Sequence, residues 1–233
     1  MILRVQSINT YYGTSHVLQD VSFQVDSGEV VALLGRNGMG KTTTLRSIMG
    51  LTPPRDGSIS FKDTAVLGKP PYAMAWIGLA YMPDDQRIFP DLTCEENLEI
   101  ARRLSRHSGY WDRRRVEELF PVLRARRKQK GLNLSGGEKK MLSLGRALMA
   151  NPEMILLDEP SEGLAPLIVA NLIEVLDTIR EKDVTILLAD QNIKFCRRVC
   201  DRGYIIERGC IVHEGTMEAI WSNEEVIKKY LVL

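Results

Sequence analysis

Short apolar runs separated by polar segments predict a series of β-strands along most of the chain. Runs that are apolar at every position, such as Val30–Leu34 and Met154–Leu157, indicate strands buried on both faces. The predicted strands are Leu3–Ile8, Val17–Val25, Val30–Leu34, Ser58–Phe61, Leu79–Met82, Met154–Leu157 and Thr185–Ala189. Between the last two strands, apolar residues recur at helical spacing over Leu167–Glu181. This strand, helix, strand order predicts a parallel sheet in an α/β fold.

The pattern changes at Glu95, where charged, Arg-rich helical sequence begins and continues to about Lys130. Strand signals are absent from there until Met154. We interpret this stretch as an inserted helical subdomain. Its basic clusters are interrupted by Glu117 and Glu118, so a solvated helix face explains them better than a contact with nucleic acid.

A β-hairpin is predicted near the C-terminal end of the chain. Tyr204–Glu207 and Cys210–His213 flank Arg208-Gly209, a dipeptide suited to a tight turn. A helix rich in Glu and Lys is predicted to follow the hairpin.

The charge balance argues against a general attraction to nucleic acid or to an anionic membrane. The 233 residues include 31 Lys plus Arg and 30 Asp plus Glu, which leaves a formal net charge of +1. The longest apolar runs are far below the roughly 20 residues that span a bilayer, and the first residues lack the apolar core of a secretion signal. We therefore expect a cytoplasmic protein that works at a membrane only through other subunits. The three histidines, His16, His107 and His213, lack the spacing of a zinc site.

A phosphate-binding loop is predicted between the strand Val30–Leu34 and the helical sequence that follows it. The loop consists of Gly35, Arg36, Asn37, Gly38, Met39, Gly40, Lys41 and Thr42. Its glycines allow successive N–H groups to face phosphate oxygens, and the helix directs its positive end at them. Lys41 adds a charge for the β- and γ-phosphates, and Thr42 offers a hydroxyl to Mg²⁺. Its place between a strand and a helix argues against a chance match.

Two adjacent acidic residues, Asp158 and Glu159, end the apolar strand Met154–Leu157. Strand alternation is expected to direct their side chains to different faces. One carboxylate is then available for the Mg²⁺ shell and the other for the attacking water, as phosphoryl transfer requires. An ordinary strand end is the alternative, and the phosphate loop upstream argues against it.

The sequence Leu134–Glu138, LSGGE, precedes an apolar helical pattern. Ser135 is expected to cap this helix, and the two glycines expose its first N–H groups, which makes a second anion-binding surface. The alternative is an ordinary Ser-Gly-Gly turn before a helix.

These three motifs, in this order, resemble the ATP-binding-cassette (ABC) ATPases, in which LSGGE is the signature sequence. The resemblance covers essentially the whole chain and implies a P-loop NTPase core with a mainly parallel sheet, an antiparallel β subdomain and an inserted helical subdomain. It implies one ABC ATPase domain over 1–233, with the core at 1–91 and 146–233 and the helical subdomain at about 92–145. The implied activity is ATP hydrolysis with Mg²⁺, in which Lys41 and Glu159 act as catalytic residues.

The resemblance also implies a head-to-tail dimer that holds ATP between its subunits. In such a dimer Ser135, Gly136 and Gly137 of one subunit contact the γ-phosphate in the partner's phosphate loop. Thr43 extends that loop in the family. Tyr12 matches the aromatic residue that stacks on adenine, and a buried core tyrosine is the alternative for this position.

Two positions depart from the common family pattern. Asp84 stands where most members carry a Gln near the metal, and Gln86 follows two residues later as the alternative ligand. Gln191 stands where most members carry a switch His and is the third expected catalytic residue. Because Gln can hydrogen bond to phosphate or water but cannot become a cation, slower hydrolysis is expected at this site.

These departures resemble the second ATPase subunit of importers for branched-chain amino acids and of the related urea and amide importers. The stretches that carry this likeness are Gly35–Gly38, Pro70–Tyr72, Ile88–Pro90, Leu92-Thr93, Ser161–Pro166 and Asp190–Asn192. The likeness implies a heterodimer with a different ATPase that retains the His in the working complex, with homodimers possible in isolation. It also implies two membrane permease subunits, an indirect solute-binding protein, and a peripheral location at the cytoplasmic face of the cell membrane.

Two other classes of function stay open. An ABC-type ATPase of a soluble assembly is one, although the roughly 90 residues between Lys41 and Ser135 are too few for the long coiled coils of repair members. A binding module with little turnover is the other. Glu159 argues against that module, whereas Asp84 and Gln191 are consistent with it.

Overall fold

The structure is a computed structural model that describes residues 1–106 and 108–231. His107, one of the three histidines considered above, and residues 232–233 at the end of the predicted domain lie outside the described residues. The strands are β1 Leu3–Tyr12, β2 Ser15–Val25, β3 Val30–Leu34, β4 Asp56–Phe61, β5 Thr64–Ala65, β6 Leu79–Met82, β7 Met154–Asp158, β8 Thr185–Asp190, β9 Arg202–Glu207 and β10 Cys210–Thr216. The α-helices are α1 Lys41–Ile48, α2 Pro71–Trp76, α3 Cys94–Leu104, α4 Arg113–Leu119, α5 Pro121–Ala125, α6 Gly136–Met149, α7 Pro166–Arg180, α8 Ile193–Val199, α9 Met217–Ser222 and α10 Glu224–Tyr230.

Two sheets form the α/β fold, as the sequence predicted. The larger has the strand order β10-β9-β3-β8-β7-β6. Its neighbouring strands are parallel except for the hairpin of β9 and β10, which is antiparallel. The smaller sheet is antiparallel, with the order β2-β1-β4-β5. The strands predicted from apolar runs and the hairpin at Arg208-Gly209 are all confirmed.

The larger sheet is buried on both faces, which explains why β3 is apolar at every position. Val30, Ala32 and Leu34 face a core shared with α3 to α8. Val31 and Leu33 face the opposite core, which is shared with α1 and the antiparallel sheet. Successive side chains on a strand point to opposite faces, so both sets must be apolar.

The helices α3 to α6 follow β6 and form the predicted helical insertion. α3 begins with a capping box, in which Thr93 and Glu96 each bond to the other's backbone N–H. α6 packs close to its neighbours at Gly145, where a Cβ would lie 3.0 Å from Val116 Cγ1 and 3.3 Å from Leu98 Cδ2. The exact boundaries of the core and the helical subdomain stay predictions.

Several short elements, among them α2, α8 and β5, were not predicted, and their brevity explains why. α2 has six residues and starts with Pro71, a residue suited to the first helical position. β5 has two exposed residues and carries no apolar alternation. In the part of the chain that the structure describes, no helix combines the length and the apolar character needed to cross a membrane.

The carboxyl ends of four parallel strands meet at one edge of the larger sheet. Leu34 at the end of β3 pairs with Asp190 of β8, and Ala189 pairs with Asp158 of β7. Met82 at the end of β6 pairs with Leu157. The loops after these strands therefore lie side by side, which is where ligands bind in sheets of this kind.

Candidate nucleotide-binding site

The predicted phosphate loop connects β3 to α1 in a conformation that depends on glycine. Gly38 and Gly40 have φ values of 80° and 112°, in the left-handed region. A Cβ at Gly35 would lie 2.5 Å from the carbonyl oxygen of Ile206 in β9. A side chain at Gly35 would therefore push the loop away from the sheet.

Other parts of the chain hold the remaining loop residues in place. The turn of the β9–β10 hairpin supports the loop, because the Gly209 N–H donates to the Met39 carbonyl at 2.9 Å. Arg36 Nη2 donates to the Lys229 carbonyl in α10 at 3.4 Å. Thr43 is buried in the first turn of α1. The loop is thus fixed from both sides before any phosphate is bound.

Lys41 lies inside the loop and is 3% exposed. Its Nζ donates to the carbonyls of Gly35 at 2.9 Å and Arg36 at 3.1 Å, and to Asn37 Oδ1 at 3.3 Å. It also forms an ion pair with Glu159 Oε1 at 3.0 Å. The ammonium group is therefore placed at the centre of the loop by four oxygen atoms.

Asp158 is fully buried at the end of β7 and accepts two hydroxyl hydrogen bonds. Thr42 Oγ1 donates to its Oδ1 at 3.0 Å, and the Tyr81 hydroxyl donates to its Oδ2 at 2.9 Å. Burial raises the pKa of Asp158 to about 6, and the charges of Asp84 and Glu159 add to this effect. A buried carboxylate among like charges is a site that favours a cation.

Glu159 is the first residue after β7, which ends at Asp158. Its φ is 47°, so a left-handed backbone, and not strand alternation, separates the two carboxylates. Burial raises the pKa of Glu159, but a hydrogen bond with Glu162 and the charge of Lys41 outweigh it, and the pKa lies below its ordinary value. Glu159 is thus an ionised carboxylate beside the loop.

Asp84 and Gln86 occupy the loop after β6 in different ways. Asp84 is exposed, and its Oδ1 accepts from the Asp85 N–H at 2.8 Å. Its charge still acts on Asp158, as the pKa of that group indicates. Gln86 Nε2 donates to the backbone carbonyl of Asp84 at 3.1 Å. Of the two residues, Asp84 is therefore the one whose charge acts on Asp158.

Gln191 is exposed directly after β8, next to a buried carboxylate. Asp190 is 1% exposed and accepts from the N–H groups of Ser161 at 3.2 Å and Asn192 at 2.9 Å. Asp190 therefore joins the segment that bears Gln191 to the loop after Glu159.

Tyr12, the last residue of β1, is 46% exposed. The alternative that it is a core tyrosine is therefore wrong. Its hydroxyl lies 3.4 Å from Thr52 Oγ1, and the exposed ring is accessible for stacking.

The signature sequence lies at the start of α6. Ser135 caps the helix, as predicted: its Oγ accepts from the Glu138 N–H at 3.3 Å, and its own N–H donates to Glu138 Oε2 at 2.8 Å. Gly136 is exposed, and Gly137 lies beside Leu164 in the loop after β7. The N–H groups of this first turn therefore belong to a well-formed helix start.

Sequence reasoning missed two polar residues that the structure places at this site. Tyr81 holds Asp158 from the neighbouring strand. Lys140 in α6 is 8% exposed and donates to backbone carbonyls after β7. A signal existed for Lys140, because it is four residues before Leu144 and so belongs to the core face of the helix.

The comparisons with known proteins agree with this geometry. The sequence profile of the family described as ABC transporter matches residues 18–162. The chain is 38% identical over 231 residues to BraG, a high-affinity branched-chain amino acid transport ATP-binding protein of Pseudomonas aeruginosa, with 99% of each chain covered. It is 34% identical over 232 residues to LptB, the lipopolysaccharide export system ATP-binding protein of Escherichia coli K12, covering 98% of this chain and 96% of LptB.

A solved structure of the same family is also similar in fold. The structure of an ATP-binding cassette of an ABC transporter in its ADP conformation has a TM-score of 0.81 and 28% identity, with 97% of each chain covered. The chain therefore belongs to the ABC transporter family and is an ATP-binding cassette that hydrolyses ATP.

Proposed function

We propose that this chain is the ATP-hydrolysing subunit of an importer for branched-chain amino acids. The observation that supports this proposal is the likeness to BraG, which extends over 231 residues at 38% identity. Asp84 and Gln191, where the chain departs from the common family pattern, are consistent with the same kind of subunit. An importer of urea or amides is the alternative from the sequence, and urea uptake is tested in the same experiment.

The phosphate loop is proposed to bind the triphosphate of ATP. Its backbone N–H groups and the positive end of α1 supply an anion site, and Lys41 adds a buried positive charge at its centre. The γ-phosphate competes with Glu159 for Lys41 and so releases that carboxylate. Tyr12 offers an exposed ring for the adenine.

The residues around Asp158 fit Mg²⁺, which is proposed as the cofactor. The Asp158 carboxylate, the Thr42 hydroxyl and the nearby Asp84 are oxygen donors of the kind this cation prefers. Mg²⁺, when bound, offsets the negative charge on the phosphate oxygens. Tyr81 keeps the Asp158 carboxylate directed to this place through its hydroxyl.

Glu159 is the proposed group that orients the attacking water, because it is ionised and lies beside Lys41. Gln191 is proposed to hydrogen bond to the γ-phosphate or to this water. Both residues can act on the same phosphate, because Glu159 follows β7 and Gln191 follows β8, and these strands are neighbours in the sheet.

Hydrolysis is proposed to take place in a head-to-tail dimer, with Ser135, Gly136 and Gly137 of each subunit on the partner's γ-phosphate. A second, different ATPase subunit is the proposed partner. Two permease subunits would hold the pair at the cytoplasmic face of the membrane, and a solute-binding protein would deliver the cargo. No contact with nucleic acid is part of this proposal.

Uptake by cells that lack this chain tests the cargo. The cells are complemented with the wild type or with Glu159→Gln, and uptake of labelled branched-chain amino acids and of labelled urea is measured in parallel. The proposal expects loss of branched-chain amino acid uptake that only the wild type restores. Normal uptake of these amino acids in the deleted cells would contradict it, and selective loss of urea uptake would assign the related importer class.

Lipopolysaccharide export is the second candidate, because LptB is 34% identical over 232 residues. The same cells distinguish the two candidates. Lipopolysaccharide that fails to reach the cell surface, with unchanged amino acid uptake, would favour export over import.

A further inference from the structure

Lys140 is a buried lysine in α6 whose ammonium group is surrounded by backbone carbonyls. The residue is 8% exposed. Its Nζ donates to the carbonyls of Glu159 at 2.7 Å, Glu162 at 2.5 Å and Pro160 at 3.5 Å. Because an ammonium group has three N–H donors and no acceptor, the three carbonyls match its hydrogen-bonding capacity. Lys140 thus connects α6 to the loop that follows β7.

A buried charge at position 140 costs free energy that a residue needed only for packing would avoid. Burial lowers the pKa of Lys140, and the carboxylates of Glu162, Asp190 and Glu159 oppose this effect only in part. Leu144, one turn later on the same face, is apolar and buried. An apolar residue at 140 would fill this face without desolvating a charge, so packing does not explain the lysine.

The carbonyl of Glu159 is the most informative of the three contacts. Glu159 has a φ of 47°, a conformation that is disfavoured for residues with a Cβ and persists only where neighbours hold it. Its N–H donates to the Ala189 carbonyl at 2.8 Å, and its carbonyl accepts from Lys140. The hydrogen bonds on both sides of the residue fix the direction in which its carboxylate points.

We propose that Lys140 is a positioning residue that connects the signature helix to the catalytic loop of the same subunit. It lies five positions after Ser135 on the same helix, so a movement of α6 towards a partner's nucleotide is transmitted to the backbone of Glu159 and Glu162. The inference rests on the proposed role of Glu159. It predicts that Lys140 affects turnover and leaves the affinity for ATP unchanged, because the phosphate loop makes no use of it.

Substitution of Lys140 in the complex purified through a tag on this chain tests the inference. Lys140→Met keeps an unbranched side chain one atom shorter and removes its donors, and Lys140→Arg keeps charge and donors. Lys139→Met, at the half-buried neighbouring position, is the matched control. The kcat and KM for ATP and the thermal unfolding midpoint are measured for each variant, and Glu159→Gln is assayed beside them.

The expected result for Lys140→Met is a fall in kcat of about tenfold, equivalent to ~1.4 kcal/mol, with KM within twofold of the wild type. Lys140→Arg should recover part of the lost kcat, and Lys139→Met should match the wild type. If Lys140→Met does not yield folded protein, Lys140→Gln, which retains a donor group, is judged by the same criteria.

A kcat within twofold of the wild type in a folded Lys140→Met complex would overturn the inference. A rise in KM that matches the fall in kcat, together with a lower unfolding midpoint, would show that Lys140 has only a structural role. That result would also overturn the inference. Full turnover in Glu159→Gln would instead contradict the proposed role of Glu159. The two failures are therefore distinguishable.

Discussion

At the scale of single residues, Asp158 is a buried carboxylate that costs stability in the absence of the cation proposed to bind there. Its carboxylate is fully buried, and burial raises its pKa from the ordinary 3.8 to about 6. The sign of the effect follows from linkage: between the unfolded and the folded pKa, the native state binds more protons than the unfolded chain. The native state is therefore destabilised as the pH rises from about 4 to about 6, and the cost is fully present at pH 7.

Asp158→Asn should stabilise the nucleotide-free chain at pH 7.5. The amide retains hydrogen-bonding partners in Thr42 and Tyr81, whose hydroxyls both donate and accept. We expect a gain of ~2 kcal/mol, or a rise of about 5 °C in the unfolding midpoint, measured by calorimetry. At pH 4 the gain should shrink, because Asp158 is then protonated in the folded wild type. An equal gain at both pH values would contradict this account of the site, and MgATP should stabilise only the wild type.

Gln191 gives a second prediction at this scale. Its side chain is exposed after β8, so a ring is tolerated there without disturbing the core. Gln191→His should raise the ATP turnover of the purified chain several-fold, since an imidazole can become a cation near the γ-phosphate. Gln191→Ala, the control, should turn over no faster than the wild type. Unchanged turnover in Gln191→His would show that this position does not limit hydrolysis.

At the scale of elements, two helices of the insertion begin with the same local structure and have different expected roles. α3 and α6 both start with a capping box, formed by Thr93 with Glu96 and by Ser135 with Glu138. The loss of such a cap costs about 1 kcal/mol of stability. The chain thus contains its own control for the role of Ser135.

Thr93→Ala and Ser135→Ala should lower the free energy of unfolding equally, by about 1 kcal/mol in urea titrations. Only Ser135→Ala should also reduce ATP turnover, because only that hydroxyl is proposed to contact a partner's phosphate. A parallel loss of turnover in Thr93→Ala would indicate that capping alone explains the effect. If both variants lose the same free energy of unfolding and both keep normal turnover, Ser135 does not contact the partner's phosphate.

The elements that the sequence predicted well are those fixed by burial. β6 has the predicted bounds, Leu79–Met82, and β3 likewise coincides with its apolar run. The helix after β7 was predicted at 167–181 and occupies Pro166–Arg180. α2 was missed because six residues that start at a proline carry too little periodicity to identify a helix.

The site was predicted less completely, because sequence spacing does not report contacts between distant elements. The pairing of Lys41 with Glu159 spans the chain from α1 to the end of β7. The turn at Glu159 follows from a positive φ that its sequence did not indicate. Lys140 was overlooked because a lysine in a charged helix suggests an exposed position, although its spacing from Leu144 places it on the core face of α6.

At the scale of the whole molecule, the two proposed phosphate-binding surfaces belong to different regions. The phosphate loop lies at the edge of the larger sheet, and Ser135 lies at the start of a helix in the insertion. A head-to-tail pair would combine the loop of one subunit with the Ser135 of the other, and the chain's formal charge of +1 offers little repulsion against a second copy. ATP would then be buried between two chains, and its binding energy would favour association.

The last prediction concerns the size of the molecule in solution. Glu159→Gln with MgATP should sediment at twice the chain's 26.3 kDa, and with ADP it should sediment as a monomer. The substitution keeps the binding site and removes hydrolysis, so the ATP-bound pair accumulates. Ser135→Arg in the same background is the control and should stay monomeric, since a bulky side chain at the helix start blocks the partner's phosphate.

The same measurement separates a homodimer from a heterodimer. A homodimer would place Gln191 in both sites, whereas a different ATPase subunit would bring a histidine to one of them. If Glu159→Gln stays monomeric alone but pairs when the complex is purified from its own cells, the heterodimer is the working form. If MgATP produces no pair in either preparation, ATP is not held between two chains, and the proposed role of Ser135 in a partner's site is wrong.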